Sequence, residues 1–288
     1  MKVEPACAGC MLTWLIERIA VSGHDRACYP VIRSISKMLA EAFCFESNVG
    51  AVANQSIEIA RGLIAETANH FAEIKSGNNQ AAHGLLPAAK AFIQRGPTDR
   101  IVFERACAIA AAGNVAPIGL PSGVFKFQDV ENIIKRKGSQ PLFQGRVHEA
   151  AQKASHVLYL CDNSGEIGFD SLLVALLKEM GKKITIVAKE APFFEDAALG
   201  DLAFFGLDDL ADEVLATGGF FVPDESSPAL RKAFAASDLV ICKGPGNFEG
   251  LADETQGKKT IFMLKAKCGP IARKVGLELG SFIVRLVE

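Results

Sequence analysis

The amino-acid sequence predicts an α/β protein: a Rossmann-like three-layer α/β/α sandwich preceded by an all-helical amino-terminal subdomain. Three observations lead there. As far as residue 150, apolar residues recur at helical spacing and no convincing β-run appears. From residue 155 the period changes to short β-branched or aromatic runs, HVLYLC, KKITIVAK, DEVLAT, DLVICK, KKTIFMLK and SFIVRLV. Several of these are separated by helical stretches, the βαβ pattern of a mainly parallel sheet. A chain of 288 residues suits one large or two modest domains. The division is expected near residue 150, with helices over 1–150 covering a cleft shared with an α/β part over 151–288.

In chain order, helical spacing marks residues 10–20, 30–44, 50–75, 84–94 and 99–112, followed by candidates at 122–135 and 144–154. The breaks read as Ser22-Gly23-His24-Asp25, Ser76-Gly77-Asn78-Asn79, Gly96-Pro97 and Gly113-Asn114. The first buried strand is His156-Val157-Leu158-Tyr159-Leu160, and LLVALLKEM (172–180) is the helix after it.

Composition narrows the function classes. A net charge of −2 offers no electrostatic reason to expect nucleic acid or an anionic membrane as partner. No run has the length and apolarity of a membrane span. The start, MKVEPACAGCMLTWLIERIA, lacks the features of a signal peptide, so a cytoplasmic location is expected. Eight cysteines in a chain this long do not read as a secreted disulfide framework. Cys7-x-x-Cys10 lacks the second ligand pair that zinc wants, although Cys268 would complete a three-thiol cluster if the first helix folded back. Five scattered histidines show no ligand spacing, and Trp14 reads as packing.

The chemistry gathers at strand ends. CDNSGEIGFD (161–170) crowds Asp162, Asn163, Glu166 and Asp170 onto the turn between a strand and its helix. That rim is where open α/β sheets bind ligands. Several oxygen ligands together suggest a hard cation such as Mg²⁺ or Mn²⁺ and, behind it, a phosphate. Simple helix capping by Asp162 is the competing reading, and Asp170, four residues from Glu166, reads as a solvent-facing structural acid. A second strand end carries KGPGNFEG (243–250), with Lys243 at the tip, Gly244 and Gly246 in the turn, and Asn247 and Glu249 opening the next helix. A third carries Lys265 and Lys267, able to offset charge on a transferring phosphoryl group. A fourth, APFFEDA, offers Asp196 as a further cation ligand.

With these four segments the chain resembles the damage-control phosphatases, the acidic-residue-methyltransferase-like family formerly catalogued as a domain of unknown function. The likeness extends to its small stand-alone archaeal and bacterial branch, which opens with a Cys-x-x-Cys helix. The resemblance implies a metal-dependent phosphatase acting on small, often damaged phosphometabolites, with a divalent ion (Mn²⁺, Co²⁺, Ni²⁺ or Mg²⁺) as cofactor. It implies Asp162, Asn163 and Asp196 as metal ligands, and Gly246, Asn247 and Glu249 as the substrate segment. Lys265 or Lys267 would meet the phosphate, Lys243 would neutralise it, and Glu166 would support the site or transfer a proton. The chain departs from the family pattern at Glu195, where an amide is usual. It also departs at Gly96-Pro97-Thr98, which lacks an acid and a tyrosine, and at Pro117, which stands in place of an acid.

The expected nucleophile is a water rather than Asp162, because the Asp-x-Asp pair of aspartate-nucleophile phosphatases is absent. Two other readings stay open. One is an S-adenosylmethionine-dependent carboxyl methyltransferase, disfavoured by the single glycine in Asp162-Asn163-Ser164-Gly165. The other is a non-catalytic phosphometabolite- or metal-binding protein.

Overall fold

The computed structural model describes residues 1–288. The first half supplies α1 (Pro5–Ala20), α2 (Asp25–Ala42), α3 (Val49–Glu66), α4 (Ala68–Gln94), α5 (Asp99–Ala112) and α6 (Gln128–Ile134). Then come β1 (Leu142–Gln144), α7 (Val147–Lys153), β2 (His156–Leu160), α8 (Glu166–Glu179) and β3 (Lys183–Lys189). The short helices α9 (Leu199–Leu202) and α10 (Leu207–Leu210) lead to β4 (Glu213–Thr217), α11 (Pro228–Ala236) and β5 (Leu239–Lys243). The chain closes with α12 (Gly244–Leu251), β6 (Lys259–Lys265), α13 (Gly269–Val275) and β7 (Phe282–Val287).

The seven strands form one sheet in the order β1-β7-β6-β5-β2-β3-β4. Neighbours from β6 to β4 are parallel, whereas β7 is antiparallel to β6 and parallel to β1. Chain order reverses between β2 and β5, so their carboxyl ends open the crevice in which such sheets bind ligands. Alternation along β2 sends Val157 and Tyr159 into one apolar core and Leu158 and Leu160 into the other. Each core also takes helical residues from the first half, Ala82 and Phe103 on one face, Leu15 and Ile57 on the other. The sheet is therefore covered on both faces, as strands this apolar require.

Three expectations change. A strand does precede residue 155: β1 lies on the amino-terminal side of the expected seam and joins the sheet through β7, so the first half is not all helical. Its three residues are too few for a periodic signal. Residues 50–75 are two helices parted at Thr67, and Ser76-Gly77-Asn78-Asn79 lies inside the 27-residue α4. Those two asparagines look like a helix break in the sequence because their amides usually compete with the helical backbone. Here the amides turn outward to hold another segment, so the backbone ladder continues through them. The predicted start at Pro30 lies within α2, which begins at Asp25.

Candidate active site

Asp162 and Asn163 leave β2 at the crevice, and the segment after β3 is laid against them. Asn163 and Asp196 form an antiparallel bridge. Ser164 N–H donates to the Glu195 carbonyl at 2.9 Å, and Ala197 N–H donates to the Asp162 carbonyl at 2.8 Å. The turn that brings Asp196 there is held by Phe194 at φ 50°. A bulky residue in the left-handed region costs on the order of 1–3 kcal/mol and persists only where packing enforces it. Here the Phe194 ring is buried against Trp14 and Phe71, with centroids 5.5 and 5.3 Å away.

Two glycines make the approach possible. Gly165 (φ 71°) turns the chain into α8, and a Cβ there would stand 2.6 Å from the Asn78 carbonyl oxygen. Its N–H donates to Asn79 Oδ1 at 2.7 Å, while Asn78 Nδ2 donates to Ser164 Oγ at 3.2 Å. The two asparagines of α4 thus clamp the Asp-Asn turn. Gly244 (φ 76°) opens α12, and a Cβ on it would lie 2.0 Å from Asp162 Oδ2. No other residue leaves room for that carboxylate.

Beneath the turn lies a buried network. Asn114, between α5 and α6, donates from Nδ2 to Asp162 Oδ2 at 2.8 Å and to Glu166 Oε2 at 3.0 Å, and its Oδ1 accepts from Lys265 N–H at 3.2 Å. Asn163 Nδ2 donates to Asp162 Oδ2 at 2.5 Å and to Glu166 Oε2 at 3.2 Å. Lys243, expected at the phosphate, is instead fully enclosed. Its ammonium donates to Glu166 Oε1 at 2.7 Å, Asp170 Oδ1 at 2.6 Å and the Ala110 carbonyl at 2.9 Å. Asp170, expected to face solvent, is correspondingly buried as the partner of Lys243. The cause is strand alternation: Lys243 shares a face of β5 with Leu239 and Ile241, which pack in the core containing α8.

Two further cations hold the segment after β3. Arg18 of α1 is buried and grips Glu195 through Nε (3.2 Å) and Nη2 (2.5 Å). Its remaining donors reach the carbonyls of Trp14, Pro117, Ile118 and Gly119 at 3.1–3.4 Å. Glu195, where the resemblance leads one to expect an amide, is therefore met by a buried cation. Lys189, the last residue of β3, donates to the Gly219 carbonyl at 2.6 Å and lies 3.4 Å from Asp196 Oδ2.

All of this faces one cavity of about 280 Å³. Of the sequence-predicted residues, Asp162, Asn163, Asp196, Gly246, Glu249 and Lys267 line it. Four others do not. Glu166 and Lys243 lie in the buried network. Asn247 turns its amide to the Cys161 and Lys243 carbonyls and to Phe221 N–H, so it ties three loops together rather than facing a ligand. Lys265 pairs with Asp129 at 2.9 Å and lies over the Phe282 ring. Trp14, read as packing, also stands in the cavity wall.

Burial sets the electrostatics. It pushes the Asp162 carboxyl well above the usual range, and the charges of Glu166 and Asp196 add to the rise. It raises Asp196 to about 6 against the pull of Lys189, and Asp170 to about 6 against that of Lys243. It lowers Lys267 and lifts Glu249 to about 7. Acids raised together in this way are in want of positive charge. Asp196 Oδ2, moreover, is buried without a hydrogen-bond partner. Two such carboxylates and an adjoining amide fit a hard divalent ion. Three thiols do not enter the set: Cys7, Cys10 and Cys268 line the cavity, but no three His, Cys, Asp or Glu side chains are arranged to hold a metal.

Comparison with known proteins bears on what the cavity does. Residues 3–283 match the damage-control phosphatase ARMT1-like domain. The chain belongs to that family. A damage-control phosphatase of Archaeoglobus fulgidus is 31% identical over the full length of both chains. One of Pyrococcus horikoshii is 28% identical, covering 98% of this chain and 97% of the relative. The crystal structure of a DUF89 family protein from Pyrococcus horikoshii superposes with a TM-score of 0.78 at 26% identity, covering 99% of this chain and 98% of that one. Membership in the damage-control phosphatase family supports phosphate hydrolysis as the activity of the chain, and no helix is long and apolar enough to cross a membrane.

Proposed function

We propose that this protein is a metal-dependent phosphomonoesterase acting on small, damaged or off-pathway phosphometabolites. The observation that carries the reading is the convergence of Asp162, Asn163 and Asp196 on one cavity, with a buried Asp196 oxygen lacking any hydrogen-bond partner. Those three residues would hold a divalent ion such as Mn²⁺, Co²⁺, Ni²⁺ or Mg²⁺. When bound, the ion supplies positive charge against the phosphoryl oxygens. Lys267 presents the cavity's own ammonium to the same group, and the amino end of α12 contributes its dipole beside Gly246. Lys243 acts at one remove. By pairing with Glu166, it fixes Asn114 and Asn163 and, through their amides, the Asp162 carboxylate. A water attacks phosphorus in line with the leaving alcohol, and Asp162, whose carboxyl lines the cavity, is placed to take its proton, with Glu166 supporting it from the buried network through Asn114 and Asn163.

Phosphate release from a panel of phosphomonoesters, with each metal and after chelation, tests the reading. Release that needs the ion and disappears in Asp162→Asn and Asp196→Asn, both still folded by circular dichroism, is expected. Full turnover in either variant, or in the chelated enzyme, overturns it. Tight phosphoester binding without release would favour a binding protein, and methyl transfer from S-adenosylmethionine a methyltransferase.

A further inference from the structure

Beyond the carboxylate end, the cavity wall is apolar. Trp14 and Phe220 stand with ring centroids 5.9 Å apart, and Met11, Pro117, Ile118 and Ile271 complete the wall. An aromatic wall alone does not decide the ligand, since the ring can also lie against the apolar face of a sugar. Hydrogen bonding decides it. All five guanidinium N–H groups of Arg18 are engaged by Glu195 and by backbone carbonyls, and both Glu195 oxygens are engaged by Arg18. The three thiols in the wall are neutral, because burial raises Cys7, Cys10 and Cys268 alike, and neutral thiols behave as small hydrophobes. Away from Asp162, Asn163, Asp196 and Lys267, Glu249 is the one lining carboxyl without a side-chain partner. A polyhydroxylated ligand would give up water at several hydroxyls and find few side-chain partners in this part of the wall.

We infer that the cavity takes phosphate monoesters whose alcohol half is compact and apolar, an aryl or short branched-alkyl alcohol, in preference to sugar phosphates, with Trp14 and Phe220 as the residues that determine this choice. The inference rests on the phosphatase reading and adds the substrate class to it. The reaction is R–O–PO₃²⁻ + H₂O → R–OH + HPO₄²⁻. The bond between phosphorus and the ester oxygen breaks, the water oxygen joins phosphorus, and one water proton ends on the leaving alcohol. The cavity volume, about 280 Å³, lies at the lower edge of the range in which drug-sized ligands sit, so the alcohol is small.

The test compares kcat/KM for phenyl phosphate and isobutyl phosphate with that for fructose 1-phosphate and glucose 6-phosphate. A preference of at least about tenfold for the apolar esters is expected, the factor that burying one aromatic face supplies. Trp14→Ala and the milder Phe220→Leu should each lower the ratio of aryl to sugar kcat/KM. Equal or better turnover of the sugar phosphates, or an unchanged ratio in both variants, overturns the inference while leaving the phosphatase reading in place. Trp14 is also the single tryptophan of the chain, so its fluorescence reports occupancy without turnover. Phenylphosphonate, whose carbon–phosphorus bond is not hydrolysed, should titrate that signal at concentrations at least about tenfold below those needed for inorganic phosphate. If no ester is hydrolysed, the phosphatase reading fails, and this titration alone judges the cavity. Tighter binding of phenylphosphonate upholds the apolar site, and equal binding of the two anions refutes it.

Discussion

Removing the ammonium of Lys243 probes the network under the site, and its effect follows from the geometry. The side chain is fully buried between Glu166 Oε1 at 2.7 Å and Asp170 Oδ1 at 2.6 Å, with a second Asp170 oxygen lacking any partner. Lys243→Met keeps the volume and deletes the charge, leaving two buried carboxylates without a cation. Breaking a buried pair in this way costs about 3–5 kcal/mol. The protein can lessen that cost by protonating Asp170, already raised to about 6 with the lysine present. Folding of the variant then takes up a proton that the unfolded chain, with an ordinary aspartate, does not hold near neutrality. Stability therefore falls as pH rises, by about 1.4 kcal/mol per unit for one proton. Urea unfolding of wild type and variant at pH 6 and pH 8 measures this. The expected result is a loss of about 3–5 kcal/mol at pH 8 that shrinks toward pH 6. Most of it should return in Lys243→Met/Asp170→Asn, where the second charge is gone. A loss below about 1 kcal/mol at pH 8, or one indifferent both to pH and to Asp170→Asn, would refute the reasoning, because an exposed pair has that magnitude.

Arg18→Ala should destabilise the fold by about 3–5 kcal/mol, because the buried Glu195 loses its cation partner, and Glu195→Gln in that background should restore most of it in the same urea assay. Asn114→Ala removes the donor shared by Asp162 and Glu166, so under the proposed metal-dependent reading the apparent affinity for a divalent ion should fall about 10–100-fold, read from the metal dependence of phosphate release. The half-buried Glu249 has its folded-state pKa raised to about 7, so its contribution to stability is present below about pH 4.5 and is lost as pH rises through 7. Glu249→Gln should accordingly gain stability over wild type above pH 7, on the order of 2 kcal/mol after allowance for its solvent contact, and show no such gain near pH 4.5.

The sequence made the sheet and its ligand-binding rim legible because βαβ periodicity and strand-end chemistry are both local patterns. Asp162, Asn163 and Asp196, which the structure brings together in the cavity lining, stood out in this way, each a few residues past an apolar run. Arg18, Asn78, Asn79, Asn114 and Lys189 were not, since each acts on a segment distant in sequence or, like Lys189, looks like the ordinary end of a strand. For Lys243 the signal was present. Period two puts it on the face of Leu239 and Ile241, and Glu166 and Asp170 stand one turn apart on the helix that covers this face. Position at a strand tip suggested a phosphate lysine, and alternation points inward. The same rule separates Lys265, in register with Met263 and Ile261, from Lys267, which lies beyond the strand and reaches the cavity. The asparagines of α4 were hidden for a different reason. Polar residues inside a helix read as a break unless their tertiary partner, here the Asp162–Gly165 turn, is known.

Anomalous diffraction from a crystal soaked with Mn²⁺ and phosphate tests the metal-dependent site most directly. One peak is expected, within about 2.0–2.3 Å of oxygens from Asp162, Asn163 and Asp196, with phosphate between it and Lys267. A peak at the Cys7, Cys10 and Cys268 thiols instead, or an active enzyme with no peak among the three oxygen ligands, would contradict it.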